Sequence, residues 1–220
     1  MLTSEQWKNS FPGACVGLIV IDKVTNPEHS EVLDEQKRMV ENELRTRFPN
    51  RSSLLENPII KAYSSYYKKY AKTYHVQQQM ESVIFKNKNI PSVAGLVETM
   101  FMAELKNGLL TAGHDYDALH LPLSLDIVSE GEQYVLMNGK EQAAKPGDMR
   151  ISDEAGIISS IIHGPDSRTR ITSDTKKVMF VAYAPTGIPH DFVFQHLSDM
   201  YRYIKLFALN AEVELKKIIV

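Results

Sequence analysis

The sequence has only one cysteine, and this scarcity excludes several kinds of protein. Cys15 has no second thiol with which to form a disulfide within the chain, and it cannot build a thiolate metal cluster alone. The first residues, 1–6, also lack the basic region that opens a secretory signal. We therefore expect a protein of the reducing cytoplasm.

Net charge of one sign is equally scarce. The 25 Lys and Arg residues nearly balance the 27 Asp and Glu residues, which gives a formal net charge of -2. The chain therefore lacks the overall basic field that drives non-specific binding to nucleic acid. The apolar run 14–21 is too short to span a bilayer. We expect neither DNA nor a membrane as a partner, and any contact with RNA must be local.

The motifs of several common enzyme classes are missing. There is no phosphate-binding loop with its lysine, no dinucleotide fingerprint, no Gly-x-Ser-x-Gly elbow and no His-Glu-x-x-His helix. Among seven histidines, only His114 and His120, with Asp115 or Asp117, approach a metal-like cluster, and their spacing is loose. We expect no metal ion and no cofactor, and nucleotide-driven ligation is not expected.

Hydrophobic spacing divides the chain into helical and strand-rich parts. Residues 15–21 are rich in branched side chains, which is typical of a strand buried on both faces. Helical spacing predicts helices over about 30–48, 57–74, 77–85, 93–106 and 190–217. Short apolar segments separated by turn pairs such as Asn138-Gly139 predict mostly antiparallel sheet between about 123 and 183.

This pattern predicts one α+β domain over residues 1–220, in which helices pack around a curved or closed sheet. The expected parts are an N-terminal helical part at about 1–90, a core motif region at about 91–189 and a C-terminal covering helix at about 190–217.

Two stretches stand out as candidates for a recognition pocket. Residues 108–115 and residues 166–175 combine glycines or turn formers with hydroxyl and charged side chains, which a chain normally places at a site rather than in a core. His114 and Asp115 could orient an amine or a water, but Asp115 is better explained as the cap of a turn or helix beginning at Tyr116. Arg168 could bind a phosphate or carboxylate with its planar guanidinium, or it could pair with Asp166 or Asp174.

A basic and aromatic stretch over residues 61–74 has two interpretations. Lys68, Lys69 and Lys72 could meet RNA phosphates while a tyrosine stacks on unpaired bases. The simpler interpretation is that Tyr63, Tyr66, Tyr70 and Tyr74, spaced three and four residues apart, pack inward as one stripe, with the lysines merely solvated.

Taken together, the motifs resemble a known family. Residues 108–115, with Arg168, Thr169, Thr172 and Thr175, resemble the tRNA-binding and editing module of the phenylalanyl-tRNA synthetase beta subunit, and more closely the freestanding proteins built from that module alone. The likeness extends upstream through 26–29, 45–48, 57–58 and 88–91, and it covers nearly the whole chain up to about residue 189.

The resemblance implies a mixed helical fold with a barrel-like sheet and a pocket that hydrolyses a wrong amino acid from tRNA. An aminoacyl ester is already activated, so such a pocket needs only to orient water, steady the oxyanion and hold the acceptor end. The candidate catalytic residues are His114, Asp115 and Arg168. The candidate substrate-binding residues are Glu98, Thr111, Ala112, Gly113, Ser167 and Thr169.

The chain departs from the family pattern at important positions. Leu110 occupies the proline position, Ala112 the histidine position and His114 an aromatic position, while Val181 replaces a glutamate. Chemistry specific for tyrosine or phenylalanine therefore does not carry over. Two hypotheses remain: a deacylase that clears mischarged or modified aminoacyl-tRNA in trans, and a module that binds tRNA or a small amino-acid-like ligand without chemistry.

Overall fold

The computed structural model describes residues 1–220, which form seven α-helices and eleven strands. The helices are α1 (Glu5–Ser10), α2 (Glu31–Arg47), α3 (Arg51–Leu55), α4 (Pro58–Lys68), α5 (His75–Phe85), α6 (Gly95–Asn107) and α7 (His190–Ile204). The strands are β1 (Leu2–Thr3), β2 (Cys15–Asp22), β3 (Leu110–Asp115), β4 (Ser124–Ile127), β5 (Gln133–Val135), β6 (Glu141–Ala143), β7 (Met149–Asp153), β8 (Gly156–Ser160), β9 (Gly164–Pro165), β10 (Val178–Ala184) and β11 (Glu212–Ile219).

The strands form two main sheets and one small hairpin. The first sheet is antiparallel, in the order β11-β2-β10-β3, and the second has the order β1-β4-β7-β8-β9. β5 and β6 pair separately. The prediction of an α+β fold is confirmed, although the two sheets remain separate and do not close into a barrel.

The four-stranded sheet lies between α7 and the five-stranded sheet. On one face, a Cβ atom added to Gly17 of β2 would lie 2.6 Å from Val193 of α7, so this helix packs directly on the strand. On the other face, the Tyr183 hydroxyl of β10 lies 2.6 Å from Ser159 Oγ of β8. β2 is therefore covered on both sides, as its run of branched side chains predicts.

The caps explain where the central helices begin and end. Asn57 accepts a hydrogen bond from the backbone N–H of Ile59 at 2.9 Å, and Pro58 occupies the first turn of α4. α4 ends at Lys68, earlier than the predicted residue 74, and Ala71 then adopts a left-handed φ of 53°. α6 ends at Gly108, whose φ of 68° is the left-handed conformation expected after a helix.

The prediction of one long C-terminal helix over 190–217 is wrong. α7 ends at Ile204, and the chain turns back to form β11, which pairs antiparallel with β2. Without β11, the outer backbone groups of β2 would lack partners, and pairing satisfies them. The alternation of Glu212, Val213, Glu214 and Leu215 has the period of a strand, and this local pattern was outweighed by the helical spacing before it.

Candidate functional site

Within the candidate stretch 108–115, Gly108 caps α6 and residues 110–115 form the strand β3, most of which is buried. After Gly108 ends α6, β3 pairs with β10 along its length. Gly113 is needed for close packing rather than for flexibility, because an added Cβ would lie 2.8 Å from Ile171 Cδ1 and 3.0 Å from a ring carbon of Phe180.

The loop that contains residues 166–169 connects β3 to the second sheet. The Thr169 carbonyl accepts a hydrogen bond from Asp115 N–H at 2.8 Å, while the Asp166 and Ser167 N–H groups donate to Ile158 and Val135 carbonyls. The two candidate stretches are therefore brought together, as the sequence suggested.

A chain of buried hydrogen bonds leads from this loop to His114. The Thr169 hydroxyl donates to Asp166 Oδ1, and Thr169 Oγ1 lies 2.7 Å from His114 Nδ1. Because the hydroxyl proton points to Asp166, His114 Nδ1 carries the proton of the neutral ring and Nε2 is an acceptor. Nε2 is buried and has no partner in the protein.

The environment of His114 keeps its ring neutral. Complete burial, assisted by the positive charge of Arg168, lowers the pKa of His114 to about 3. A general base works best when its pKa lies near the working pH, so this ring is weakly basic for such a role. Its catalytic role stays a prediction.

Asp115 caps the short 3-10 helix over Tyr116–Ala118. Its Oδ1 accepts from Asp117 N–H at 3.0 Å, and its Oδ2 accepts from the Thr175 hydroxyl at 2.7 Å. Both carboxylate oxygens are thus used to hold the end of β3. This arrangement matches the capping interpretation of Asp115.

Arg168 forms a bidentate ion pair with Asp153. Its Nη2 donates to both carboxylate oxygens of Asp153 at 2.8 Å, and Nη1 donates to the Ala118 carbonyl at 2.9 Å. Asp166 Oδ2 lies 3.6 Å from Arg168 Nε. The Arg168 side chain is still 35% exposed, and with Ser167 it lines an open cleft of about 370 Å³ beside β5 and β8.

Thr111 lies on the opposite face of β3 from His114, because the side chains of a strand alternate. Its hydroxyl lies 2.7 Å from His196 Nε2 of α7, and its N–H donates to Glu104 at 2.7 Å. Asn107 Nδ2 contacts both His196 Nδ1 and Asp199 Oδ2 at 3.1 Å. The sequence interpretation missed this buried network, although His196 and Asp199 are three residues apart and so share a face of α7.

Glu98 is engaged elsewhere. Its Oε2 lies 2.9 Å from the Lys37 ammonium of α2, and its Oε1 accepts from Val93 N–H at 2.9 Å. Lys37, Val93 and Glu98 all lie at the junction of α2 and α6, so Glu98 pairs with none of the other candidate residues.

Ala112 and Val181 are directly opposed on β3 and β10. Ala112 shares the face of His114 and is buried, as is Val181. These are the two positions at which the family pattern has histidine and glutamate. The pair is apolar here, and it offers no group that could exchange a proton.

The tyrosines of residues 61–74 pack inward. Tyr63, Tyr66, Tyr67 and Tyr74 are buried, and Tyr63 stacks on Tyr74 with ring centroids 4.3 Å apart. The packing interpretation of the stripe is therefore confirmed for Tyr63, Tyr66 and Tyr74. Tyr67 lies outside the stripe, but it is buried as well and is not available to stack on a base. Tyr70 is half-buried.

Two of the three candidate lysines share a cleft. Lys68 and Lys72, with Lys61, line an open cleft of about 470 Å³ between α4 and α5. Lys69 points elsewhere, since its ammonium lies 5.7 Å from the ring centre of Phe11. Lys61 and Lys68 lie seven residues apart on one face of α4, which is a signal that the sequence contains. Lys72 lies beyond the end of α4 and reaches the same cleft from the following turn.

No three His, Cys, Asp or Glu side chains lie close enough together to hold a metal ion. None of the helices is both long and apolar enough to cross a membrane.

A family model described as the B3/4 domain matches residues 60–190, which is more than half of the chain. The chain belongs to the B3/4 domain family. Its B3/4 sequence is 27% identical over 94 residues to the phenylalanine–tRNA ligase beta subunit of Mycoplasma pneumoniae, an alignment that covers 43% of the chain and 12% of that subunit. The resemblance inferred from the motifs is thereby confirmed.

The B3/4 fold is also similar to a solved structure, an N-terminal fragment of the phenylalanyl-tRNA synthetase beta subunit from Pyrococcus horikoshii. The TM-score is 0.51 at 12% sequence identity, and the match covers 99% of this chain and 53% of the fragment. At this identity the similarity concerns the fold alone. The B3/4 chain thus spans about half of the fragment and a small part of the curated subunit that it matches.

Proposed function

We propose that this chain binds tRNA, and that the backbone of the acceptor end lies in the basic cleft between α4 and α5. The proposal is carried by the convergence of Lys61, Lys68 and Lys72 on one cleft whose lining contains no carboxylate. Phosphate oxygens are the usual partners of lysines grouped in this way. The likeness to a tRNA ligase subunit supports tRNA as the nucleic acid.

The surroundings of these lysines favour an anionic ligand. None of the three ammonium groups has a carboxylate within ion-pair distance, so their charge is not neutralised within the protein. Ser64, Ser65 and Thr73 add hydroxyl groups to the cleft. The local charge can therefore attract a phosphate backbone even though the net charge of the chain is -2.

Binding without chemistry is better supported than hydrolysis. Asp115 and Arg168 already hold structural partners, and the His114 ring is buried. The positions of Ala112 and Val181 carry no polar group. The arrangement therefore favours a binding module for the acceptor end of tRNA or aminoacyl-tRNA.

Deacylation in trans is the second candidate function, and the cleft beside Arg168 favours it. Ser167 and Arg168 reach this cleft, where a guanidinium could steady the oxyanion formed as water attacks an aminoacyl ester. The substrates would be mischarged or modified aminoacyl-tRNAs, with water as the nucleophile.

Two measurements on the purified protein separate these functions. The double variant Lys68→Gln/Lys72→Gln should bind uncharged tRNA more weakly than wild-type protein does. Unaltered binding would refute the proposed function. A panel of aminoacyl-tRNAs should then be followed for release of each amino acid. Release slowed about tenfold by Arg168→Ala and by His114→Ala would establish the second candidate, and no release above buffer would eliminate it.

A further inference from the structure

A second cleft lies on the other side of α5. Its volume is about 340 Å³, within the range of small-ligand sites. Val83, Phe101 and Leu105 form its apolar floor, between α5 and α6. Phe101 is only half-buried, so part of its ring faces the cleft.

The rim of this cleft carries polar groups that the protein itself leaves free. Gln78, Gln79 and Asn89 are exposed at the rim, and their side-chain amides make no hydrogen bond within the protein. The nearest side-chain bond runs instead from the Ser82 hydroxyl to the backbone carbonyl of Gln78. Each free amide offers both donors and an acceptor.

His75 adds an acceptor to the rim. The Tyr67 hydroxyl donates to the Ile161 carbonyl at 2.8 Å, so at 3.2 Å it can only accept from His75 Nδ1. The proton of the neutral ring therefore lies on Nδ1, and Nε2 is left as an acceptor. This nitrogen belongs to a side chain that lines the cleft.

We propose that this cleft binds an unpaired nucleobase of the RNA strand whose phosphates occupy the basic cleft. A nucleobase presents an apolar face, which suits Phe101, and an edge of mixed donors and acceptors, which suits the free amides. The inference rests on the proposed function, because it assigns the base of the same strand to a second site.

The two clefts share α5 as a common wall. Tyr74 and Gln77 line the basic cleft, whereas His75 and Gln78 line the second cleft. An RNA strand that crosses the first turn of α5 would meet the lysines on one side and the amide rim on the other. Phosphate contacts would position the strand and the base contacts would select for unpaired nucleotides.

The test compares two RNA probes of equal charge. One is a short single-stranded RNA, and the other has the same backbone without bases. Wild-type protein should bind the base-bearing probe about tenfold more tightly. Gln78→Glu, which places a carboxylate at the rim, and Phe101→Leu, which keeps the apolar volume but removes the aromatic face, should each bring this ratio towards one.

Two controls make the result specific. Gln6→Glu makes the same substitution on the exposed face of α1, and it should leave the ratio unchanged. Thermal unfolding should show that Phe101→Leu remains folded, since Phe101 is only half-buried and leucine keeps an apolar side chain there. Equal binding of both probes by wild-type protein, or an unaltered ratio in both cleft variants, would overturn the inference.

The lysine variants distinguish this inference from the proposed function. Lys68→Gln/Lys72→Gln should weaken both probes by the same factor and keep their ratio. If that double variant binds both probes more weakly, but wild-type protein shows no preference for the base-bearing probe, the result supports tRNA binding and refutes the nucleobase site. If the double variant binds both probes as tightly as wild-type protein does, the proposed function itself is refuted.

Discussion

Ala112 on β3 lies directly opposite Val181 on β10, and both side chains are buried between the two sheets. The family pattern places a histidine and a glutamate at these positions, so the two substitutions concern neighbours in space although 69 positions separate them in the numbering. The loss of one polar partner would leave the other buried without a hydrogen bond, which is costly. Their joint replacement by apolar side chains avoids that cost.

A double-mutant cycle tests this relationship. Ala112→His should lower the free energy of unfolding by about 1–3 kcal/mol through overpacking, and Val181→Glu should lower it further because it buries an unpaired carboxylate. In the double variant, the two groups can pair across the strands, and we expect a favourable coupling of about 0.5–3 kcal/mol in urea unfolding. Strictly additive effects would show that the two positions do not interact.

Arg168 is expected to contribute to stability as well as to any chemistry. Hydrogen bonds from the His120 N–H and from Arg168 hold the pKa of Asp153 below its usual value, against the effect of burial, which raises it. Arg168→Ala should therefore cost about 1–3 kcal/mol in unfolding free energy, because it leaves the Asp153 carboxylate short of partners. Arg170→Ala, at an exposed neighbour, is the matched control. A stable Arg168→Ala protein would contradict the structural role of the ion pair.

Glu104 makes the stability of the chain depend on pH. Burial raises its pKa from 4.5 to about 8, and the hydrogen bond from Thr111 N–H offsets only part of this effect. Because the folded pKa is the higher one, the folded state binds more protons between these values, so stability is lost as pH rises from 4.5 to about 8. Glu104→Gln removes this loss.

The free energy of unfolding of Glu104→Gln, relative to that of wild-type protein, should therefore rise by roughly 1.4 kcal/mol per pH unit across this window. Urea titrations at several pH values measure it. Glu130→Gln, which removes an exposed carboxylate in a turn, controls for the change in net charge. A difference that does not vary with pH would show that Glu104 is not perturbed by burial.

Much of the fold follows from local sequence signals. The branched run of β2, the cap at Asn57 and the left-handed Gly108 each place an element without tertiary information. The end of α7 cannot be placed from local signals. Residues 212–219 form a strand because they pair with β2, which lies nearly 200 residues earlier in the chain. The strand-like alternation over 212–215 is too short to override the helical spacing before it, so the pairing with β2 decides the structure.

The candidate site was predictable in its parts but not in its arrangement. Once residues 110–115 are known to be a strand, alternation places Thr111 and His114 on opposite faces. The sequence also could not show that Asp153 would form an ion pair with Arg168, since that pairing depends on how β7 approaches the loop that contains residues 166–169. The shared face of Lys61 and Lys68, by contrast, follows from helical spacing, whereas Lys72 lies beyond the end of α4 and reaches the cleft through the turn that follows.

The salt dependence of tRNA binding tests the central claim most directly. A plot of the logarithm of the binding constant against the logarithm of salt concentration has a slope set by the number of phosphates neutralised. For Lys68→Gln/Lys72→Gln we predict a slope shallower than that of wild-type protein by about 1.4–1.8. The matched control Lys140→Gln/Lys176→Gln, at exposed positions away from the cleft, should keep the wild-type slope. Equal slopes for all three proteins would contradict the account.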